Sequence, residues 1–250
     1  MRRPRSILIT GAARGLGAAL AQAYAGPDVH LFINDLRAEK LAQTAEACRE
    51  SGAAVQDVVL DVSDRRAMQE WIGSADDTRP LDLVIANAAI SHGTVNNLES
   101  PEQVYQVFEA NLTGALNTAL PALELFRSRG EGHIALLSSL AEVRGLPVAP
   151  SYCASKAAIR VFGEGLASLV RREGVLVTTI IPGFMKTPMS GGNQYAMPLV
   201  VDLDQAVRKI QRGLAKGKTR ISFPWPMTFG AWLLKLAPQS LVDRVVAVKK

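Results

Sequence analysis

The chain has 250 residues, 48% of them hydrophobic, which is ample for the core of one large domain. Its net charge of +5 comes from basic residues that are scattered apart from short clusters at Arg2 to Arg5 and within 208 to 220. That pattern offers no face for nucleic acid and suits a phosphate-bearing small ligand equally well. Cys48, Cys153 and three well-separated histidines (His30, His92, His133) form neither a disulfide framework nor a metal motif, so no metal site is expected and the reducing cytoplasm is the expected setting. No apolar run approaches the roughly 20 residues of a membrane span, and the N-terminal apolar run is too short for a secretory leader.

Short apolar runs bounded by turn residues alternate with segments of helical period. Strands are predicted near 6 to 10, 30 to 35, 55 to 60, 81 to 86, 133 to 138, 176 to 181 and 220 to 223. Helices are predicted at about 15 to 25, 38 to 51, 64 to 75, 102 to 126, 152 to 172 and 202 to 216, with Pro101 in the first turn of the fourth and Gly174 closing the fifth. This is an α/β chain: a single doubly wound Rossmann-type domain over 1–250, with a seven-stranded parallel sheet flanked by helices. Within it, 5–183 is read as the cofactor-binding and catalytic core, 184–218 as a substrate lid and helix, and 224–250 as an apolar C-terminal extension.

The first strand runs into "TGAARGLG" and then a helix. Gly11 permits a tight turn, Gly15 lets the backbone approach a pyrophosphate, and Gly17 allows helix and strand to pack closely, with free N–H groups at the helix start. The second strand ends in Asp35, whose carboxylate would accept from both hydroxyls of an adenosine ribose and repel a 2′-phosphate, favouring NAD over NADP. Arg14 and Arg37 could instead pair with a 2′-phosphate if Asp35 turned away, and Asp35 also fits a plain turn. At the end of the third strand, Asp61 and Val62 stand where an adenine ring could lie, while Asp64 is placed as a helix N-cap.

The fourth strand ends in Asn87, Ala88 and Ala89, small residues against which a cofactor can lie at the topological switch point. Asn111 is a polar residue in an apolar helix, readable as a satisfied core amide. Ser139 precedes Tyr152 by 13 residues, and Tyr152 and Lys156 share a helix face at i and i+4, with Ser151 as the expected N-cap. A phenol of pKa about 10 is too weak an acid for neutral pH unless a cation stabilises its phenolate. Ser139, Tyr152 and Lys156 together would hold and protonate a carbonyl oxygen.

In this order, the pieces resemble the classical short-chain dehydrogenase/reductase family over about residues 5 to 223. Thr10 to Gly17, including Leu16, are similar to its T-G-x-x-x-G-x-G element, "NAA" at 87 to 89 to its N-A-G element, and Tyr152 with Lys156 to its Y-x-x-x-K. The resemblance implies Ser139, Tyr152 and Lys156 as catalytic residues and Asn111 in a proton relay with the lysine. It also implies Pro182 and Gly183 beside a nicotinamide and Thr187 on its carboxamide. Ala89 departs from the usual glycine. The activity implied is NAD(P)-dependent interconversion of a secondary alcohol and a ketone, with NAD preferred and NADP possible. A dinucleotide-binding regulatory or redox-sensing protein without turnover is the reading from another class.

Residues 184 to 201 combine glycines with Met185, Met189, Tyr195 and Met197, which suits an apolar, adaptable pocket or plain packing on a helix. In the extension, Trp225, Phe229, Trp232, Leu233 and Leu236 lie close to one helical stripe. They fit peripheral contact with an anionic membrane, a subunit interface, or a cover over the active site. A small-molecule alcohol or ketone as substrate, no nucleic-acid partner, and a homodimer or homotetramer complete the expectations.

Overall fold

Short apolar runs become seven strands, and in the inner ones Ile, Val and Leu are buried on both faces of the sheet, while the edge strand over Ala54–Val59, with Gln56 and Asp57, stays largely exposed. These are β1 (Ser6–Thr10), β2 (His30–Asp35), β3 (Ala54–Val59), β4 (Leu83–Ala86), β5 (Gly132–Leu137), β6 (Val175–Pro182) and β7 (Arg220–Phe223). The computed structural model describes residues 3–92, 98–186, 199–236 and 238. All seven strands are parallel in the order β3-β2-β1-β4-β5-β6-β7. β1 is the pivot: Ile7, Leu8 and Ile9 pair with Leu31, Phe32 and Ile33 on one side and with Leu83, Val84 and Ile85 on the other. Strand order reverses there, which opens a crevice above the carboxyl ends of β1 and β4.

Alternation along the strands feeds two cores. Ile7, Ile9, Leu31 and Ile33 pack with Leu16 and Leu20 of α1 (Gly15–Tyr24), Leu41 and Ala45 of α2 (Ala38–Glu50), and Val207 and Ile210 of α7 (Leu203–Ala215). Leu8, Phe32 and Val84 face the other way, against Met68 and Ile72 of α3 (Arg65–Thr78), Phe126 of α5 (Gly114–Arg129) and Ile159 of α6 (Pro150–Val170). Each of the larger side chains contributes about 1.5–3 kcal/mol by leaving water, and the two layers hold the strand ends that shape the crevice.

Four differences from the sequence expectations bear on the site. The single helix expected over 102 to 126 is two, α4 (Pro101–Phe108) and α5, joined by one π-helical turn at Glu109–Thr113 that carries Asn111. α6 starts at Pro150, placing proline at the first turn where its missing N–H costs nothing; Ser151 is therefore inside the helix rather than its N-cap. α6 ends at Val170, and a 3₁₀ turn then leads to Gly174, which closes it in the left-handed region at φ 78°. The first part of the extension, whose apolar residues share a helical stripe, forms a further helix, α8 (Trp225–Leu236). Asp64 does cap α3, accepting from the Ala67 N–H at 3.0 Å.

Candidate active site

Glycine geometry shapes one end of the crevice. Gly11 and Gly15 sit at φ 69° and 58°, where other residues are strained, and a methyl group on Gly17 would lie 2.2 Å from the Gly11 carbonyl oxygen. The turn therefore packs directly on α1 and leaves its backbone open to a ligand. Thr10 and Asn87 stitch β1 to β4 beneath it. The Thr10 hydroxyl accepts from the Asn87 and Ala88 N–H groups at 3.0 and 3.1 Å, while Asn87 Nδ2 donates to the Thr10 and Gly11 carbonyls at 2.9 and 3.1 Å.

Asp35 is nearly buried at the tip of β2. Its Oδ2 accepts from the Ala13 N–H at 3.1 Å, and its Oδ1 accepts from the Arg37 N–H at 3.1 Å and the Arg37 guanidinium at 3.3 Å. The carboxylate is thus held facing the glycine turn, and Arg37 is already its partner. Asp61 Oδ1 accepts from both the N–H and the hydroxyl of Ser63 at 2.8 Å, so that oxygen shapes its own turn. Val62 is buried against Gly114, and Asn117 fixes the segment by donating to the Val62 and Ser63 carbonyls at 2.9 and 3.1 Å.

At the other end, α6 presents Tyr152 and Lys156. Lys156 is 2% exposed; its ammonium donates to the Leu137 carbonyl at 2.8 Å and lies 5.7 Å from the centre of the Tyr152 ring. Burial lowers its pKa to about 7, because the charged form loses water that one carbonyl only partly replaces. Ser139 Oγ accepts from the Ala141 N–H at 3.2 Å and begins the 3₁₀ turn Leu140–Val143, an acceptor role that keeps its own O–H as a donor. Neighbouring Ser138 points down and donates to the Lys156 carbonyl at 2.8 Å, which separates the two serines by role.

Asn111 is fully buried. It accepts from the Ile90 N–H at 2.7 Å and donates to the Ile90 carbonyl at 3.0 Å and to Ser155 Oγ at 3.1 Å. Ser155 in turn donates to the Tyr152 carbonyl at 2.8 Å. The Asn111 side chain thus braces the chain after β4 against α6 and spends its amide there. Glu99, just before α4, takes the Ser151 N–H at 2.9 Å and the Ser151 hydroxyl at 2.8 Å, capping α6 from outside where Ala149 offers no side-chain cap.

The crevice has a volume of about 320 Å³, and it brings together most of the residues expected from sequence. Gly11, Arg14, Gly15, Leu16, Asp35, Asp61, Val62, Asn87 and Ala88 line it with Ser139, Tyr152, Lys156, Pro182 and Gly183. Ala89, the departure from glycine, and Met185 line it too. Gly17 and Asn111 act from behind the wall, through packing and bracing. Thr187, with Met189, Tyr195 and Met197, lies outside the described residues. The ends of that segment are pinned: the Val201 N–H donates to the Phe184 carbonyl at 2.9 Å. Glu99, Asn117 and Ser155 are supports that sequence reasoning missed, and Thr10, placed there only as part of the glycine element, bonds to the chain after β4. A second lone amide in the apolar helix was the available signal for Asn117; for Glu99 there was none.

A family model described as short chain dehydrogenase matches residues 5–197. The chain belongs to the short-chain dehydrogenase/reductase family. It is an oxidoreductase of that family, and the seven-stranded parallel sheet is the family's Rossmann-type fold. A relative from Myxococcus xanthus (strain DK1622), described as an uncharacterized oxidoreductase, is 36% identical over 241 residues, covering 96% of this chain and 95% of that protein. Two solved structures share the fold: a Burkholderia phymatum short chain dehydrogenase/reductase in complex with NAD has a TM-score of 0.83, 22% identity and 91% coverage of both chains. A short-chain dehydrogenase from Sphingobium yanoikuyae in complex with NADPH has a TM-score of 0.78 and 24% identity, covering 93% of this chain and 96% of that one.

Proposed function

We propose that this oxidoreductase interconverts a secondary alcohol and a ketone, with a nicotinamide dinucleotide, preferably NAD, held along the crevice. The observation that carries the reading is the convergence of Ser139, Tyr152 and a buried Lys156 on the crevice wall. A binding protein without turnover would have no use for a cation desolvated beside a phenol. The dinucleotide fits the residues present: the glycine turn is a cradle that a methyl on Gly17 would disrupt, and α1 aims its N-terminal N–H groups at it. When bound, that cofactor supplies or accepts the hydride.

The chain's own residues do the rest. Ser139 donates its O–H to the substrate oxygen, and Tyr152 gives that oxygen a proton in reduction or takes one in oxidation. Lys156 in its ammonium form stabilises the phenolate and, through its remaining N–H donors, holds a ribose hydroxyl. Asn111 is given a positioning part in the relay, since its amide is committed to Ile90 and Ser155. Asp35, locked by Ala13 and Arg37, would accept from the adenosine ribose hydroxyls and oppose a 2′-phosphate. Pro182, Gly183 and Thr187 are assigned to the nicotinamide. Residues 184–218 are assigned to covering the substrate, the whole of 1–250 acting as one domain in a homodimer or homotetramer. A cytoplasmic protein, peripheral to a membrane and acting on an apolar substrate, completes the proposal.

The test is Tyr152→Phe with a ketone panel and titrations of NADH and NADPH. Turnover is expected to fall about 10²–10⁴-fold with NADH affinity within twofold of wild type, and the unmodified protein to bind NADH more tightly than NADPH. Unchanged turnover refutes the acid/base assignment, and tighter NADPH binding refutes the cofactor choice.

A further inference from the structure

Helix α8 wears its apolar stripe on the outside. At 100° per residue, Trp225, Phe229, Trp232, Leu233 and Leu236 fall within an arc of about 100°, and they are 74%, 52%, 56%, 47% and 68% exposed. The part-buried side carries Met227, Thr228, Ala231 and Leu234. Ring centroids are 6.3 Å apart for Trp225 and Phe229 and 6.0 Å for Phe229 and Trp232, so the aromatics form one continuous ribbon. A water-facing helix normally shows the reverse arrangement.

The ribbon is fixed to the wall of the active site. A methyl on Gly183 would lie 3.0 Å from Pro224 Cδ, 3.1 Å from Met227 Sδ and 3.3 Å from Leu140 Cδ1, so the start of α8 packs against both sides of the crevice mouth. The Arg144 guanidinium donates to the Leu234 carbonyl at 2.8 Å, tying the last turn of α8 to the loop after Ser139.

We propose that this face docks on an anionic lipid bilayer and that the enzyme takes a lipid-like ketone or alcohol from it; the substrate half of this rests on the oxidoreductase reading above. Charge and area select this occupant. Lys235 is the only charged residue of α8, and residues 224–250 carry Lys235, Arg244, Lys249 and Lys250 against Asp243, a net charge of +3. Trp and Phe prefer the headgroup boundary, and basic residues beside them are drawn to anionic headgroups. The helix has 12 residues, short of the roughly 20 needed to cross a bilayer, so it would lie in the interface plane. A second copy is less well suited. The five side chains offer on the order of 600 Å², below the roughly 800 Å² each partner of a stable complex contributes.

The experiment uses the full chain, vesicles of phosphatidylcholine with and without phosphatidylglycerol, and the variant Trp225→Ser/Phe229→Ser/Trp232→Ser, whose positions are exposed. Wild type should sediment with the anionic vesicles, and the variant should partition about tenfold or more weakly. Its NADH affinity and thermal midpoint should match wild type, showing an intact fold. Turnover of a long-chain ketone presented in vesicles should fall about tenfold, and turnover of a water-soluble ketone should not change. The proposal is overturned if wild type stays in the supernatant, or if the variant binds vesicles equally well. It is also overturned if the variant merely dissociates a wild-type dimer, or if vesicles bind only after residues 237–250 are removed. Vesicle binding is read without turnover: a bound protein inactive on every ketone defeats the alcohol/ketone reading and the lipid substrate while leaving the docking face standing.

Discussion

Around β1 the groups that face the crevice are backbone amides, exposed by glycines at φ 69° and 58° and braced by Thr10 and Asn87. Around α6 they are side chains, Ser139, Tyr152 and Lys156, held directly or from behind by bonds that span the chain: Lys156 to Leu137, Asn111 to Ile90 and Ser155, Ser151 to Glu99. The first end is rigid by steric exclusion and the second by hydrogen bonds made by side chains that can be replaced. The two ends should therefore break in different ways.

The largest expected effect on cofactor binding is at the glycine end. Gly17→Ala puts a methyl 2.2 Å from the Gly11 oxygen and 2.6 Å from Asn87 Nδ2, so α1 must retreat from the turn. At the upper end of the overpacking range, about 3 kcal/mol, NADH binding weakens about 100-fold in a fluorescence titration. Gly73→Ala in α3, where nothing lies within 4 Å, serves as the control and leaves binding unchanged.

Acid should act on the other side of the pivot. His133 on β5 is buried, its Nε2 is 2.7 Å from Thr178 Oγ1, and Thr178 Oγ1 is 2.5 Å from the Lys218 carbonyl it donates to, so the ring supplies the hydrogen. Burial lowers its pKa from 6.5 to about 4. Between those values the unfolded chain binds a proton that the folded one refuses. Stability is complete above pH 6.5 and declines as pH falls toward 4, by up to about 3 kcal/mol. Urea midpoints across that range should flatten in His133→Gln, which keeps a donor for Thr178.

The smallest effect, and the finest test of the contrast, is Glu99→Ala. Losing a cap costs about 1 kcal/mol, which loosens the turn bearing Tyr152 while Lys156 stays anchored one turn further on. Turnover is expected to fall about fivefold with NADH affinity within twofold, and Glu99→Gln, which retains an acceptor for the Ser151 N–H, to recover most of it. Equal losses in binding and turnover would show that Glu99 merely holds the fold together.

The same contrast explains what could be read from sequence. The glycine turn, Asp35 and the seven strands were legible because steric need and period are local properties. Tyr152 and Lys156 were legible as a pair because i and i+4 share a face. What escaped were the external cap from Glu99, 52 residues before Ser151, and the two-way amide bond between Asn111 and Ile90, since these depend on where the chain returns. The π turn was missed because a helical period does not register one extra residue, and the outward stripe of α8 because period alone does not say which side meets the protein.

That extra residue has a consequence of its own. A turn at Glu109–Thr113 wound one residue looser than its neighbours gives up the tighter backbone geometry of an α-helix. Deleting a residue there would let α4 and α5 fuse into one regular rod, and it would also swing Asn111 about 100° around the axis, away from Ile90 and Ser155. In these five residues the most stable helix and the working one are different helices. A search for sturdier versions of this protein that rewards stability alone would select the first and discard the second.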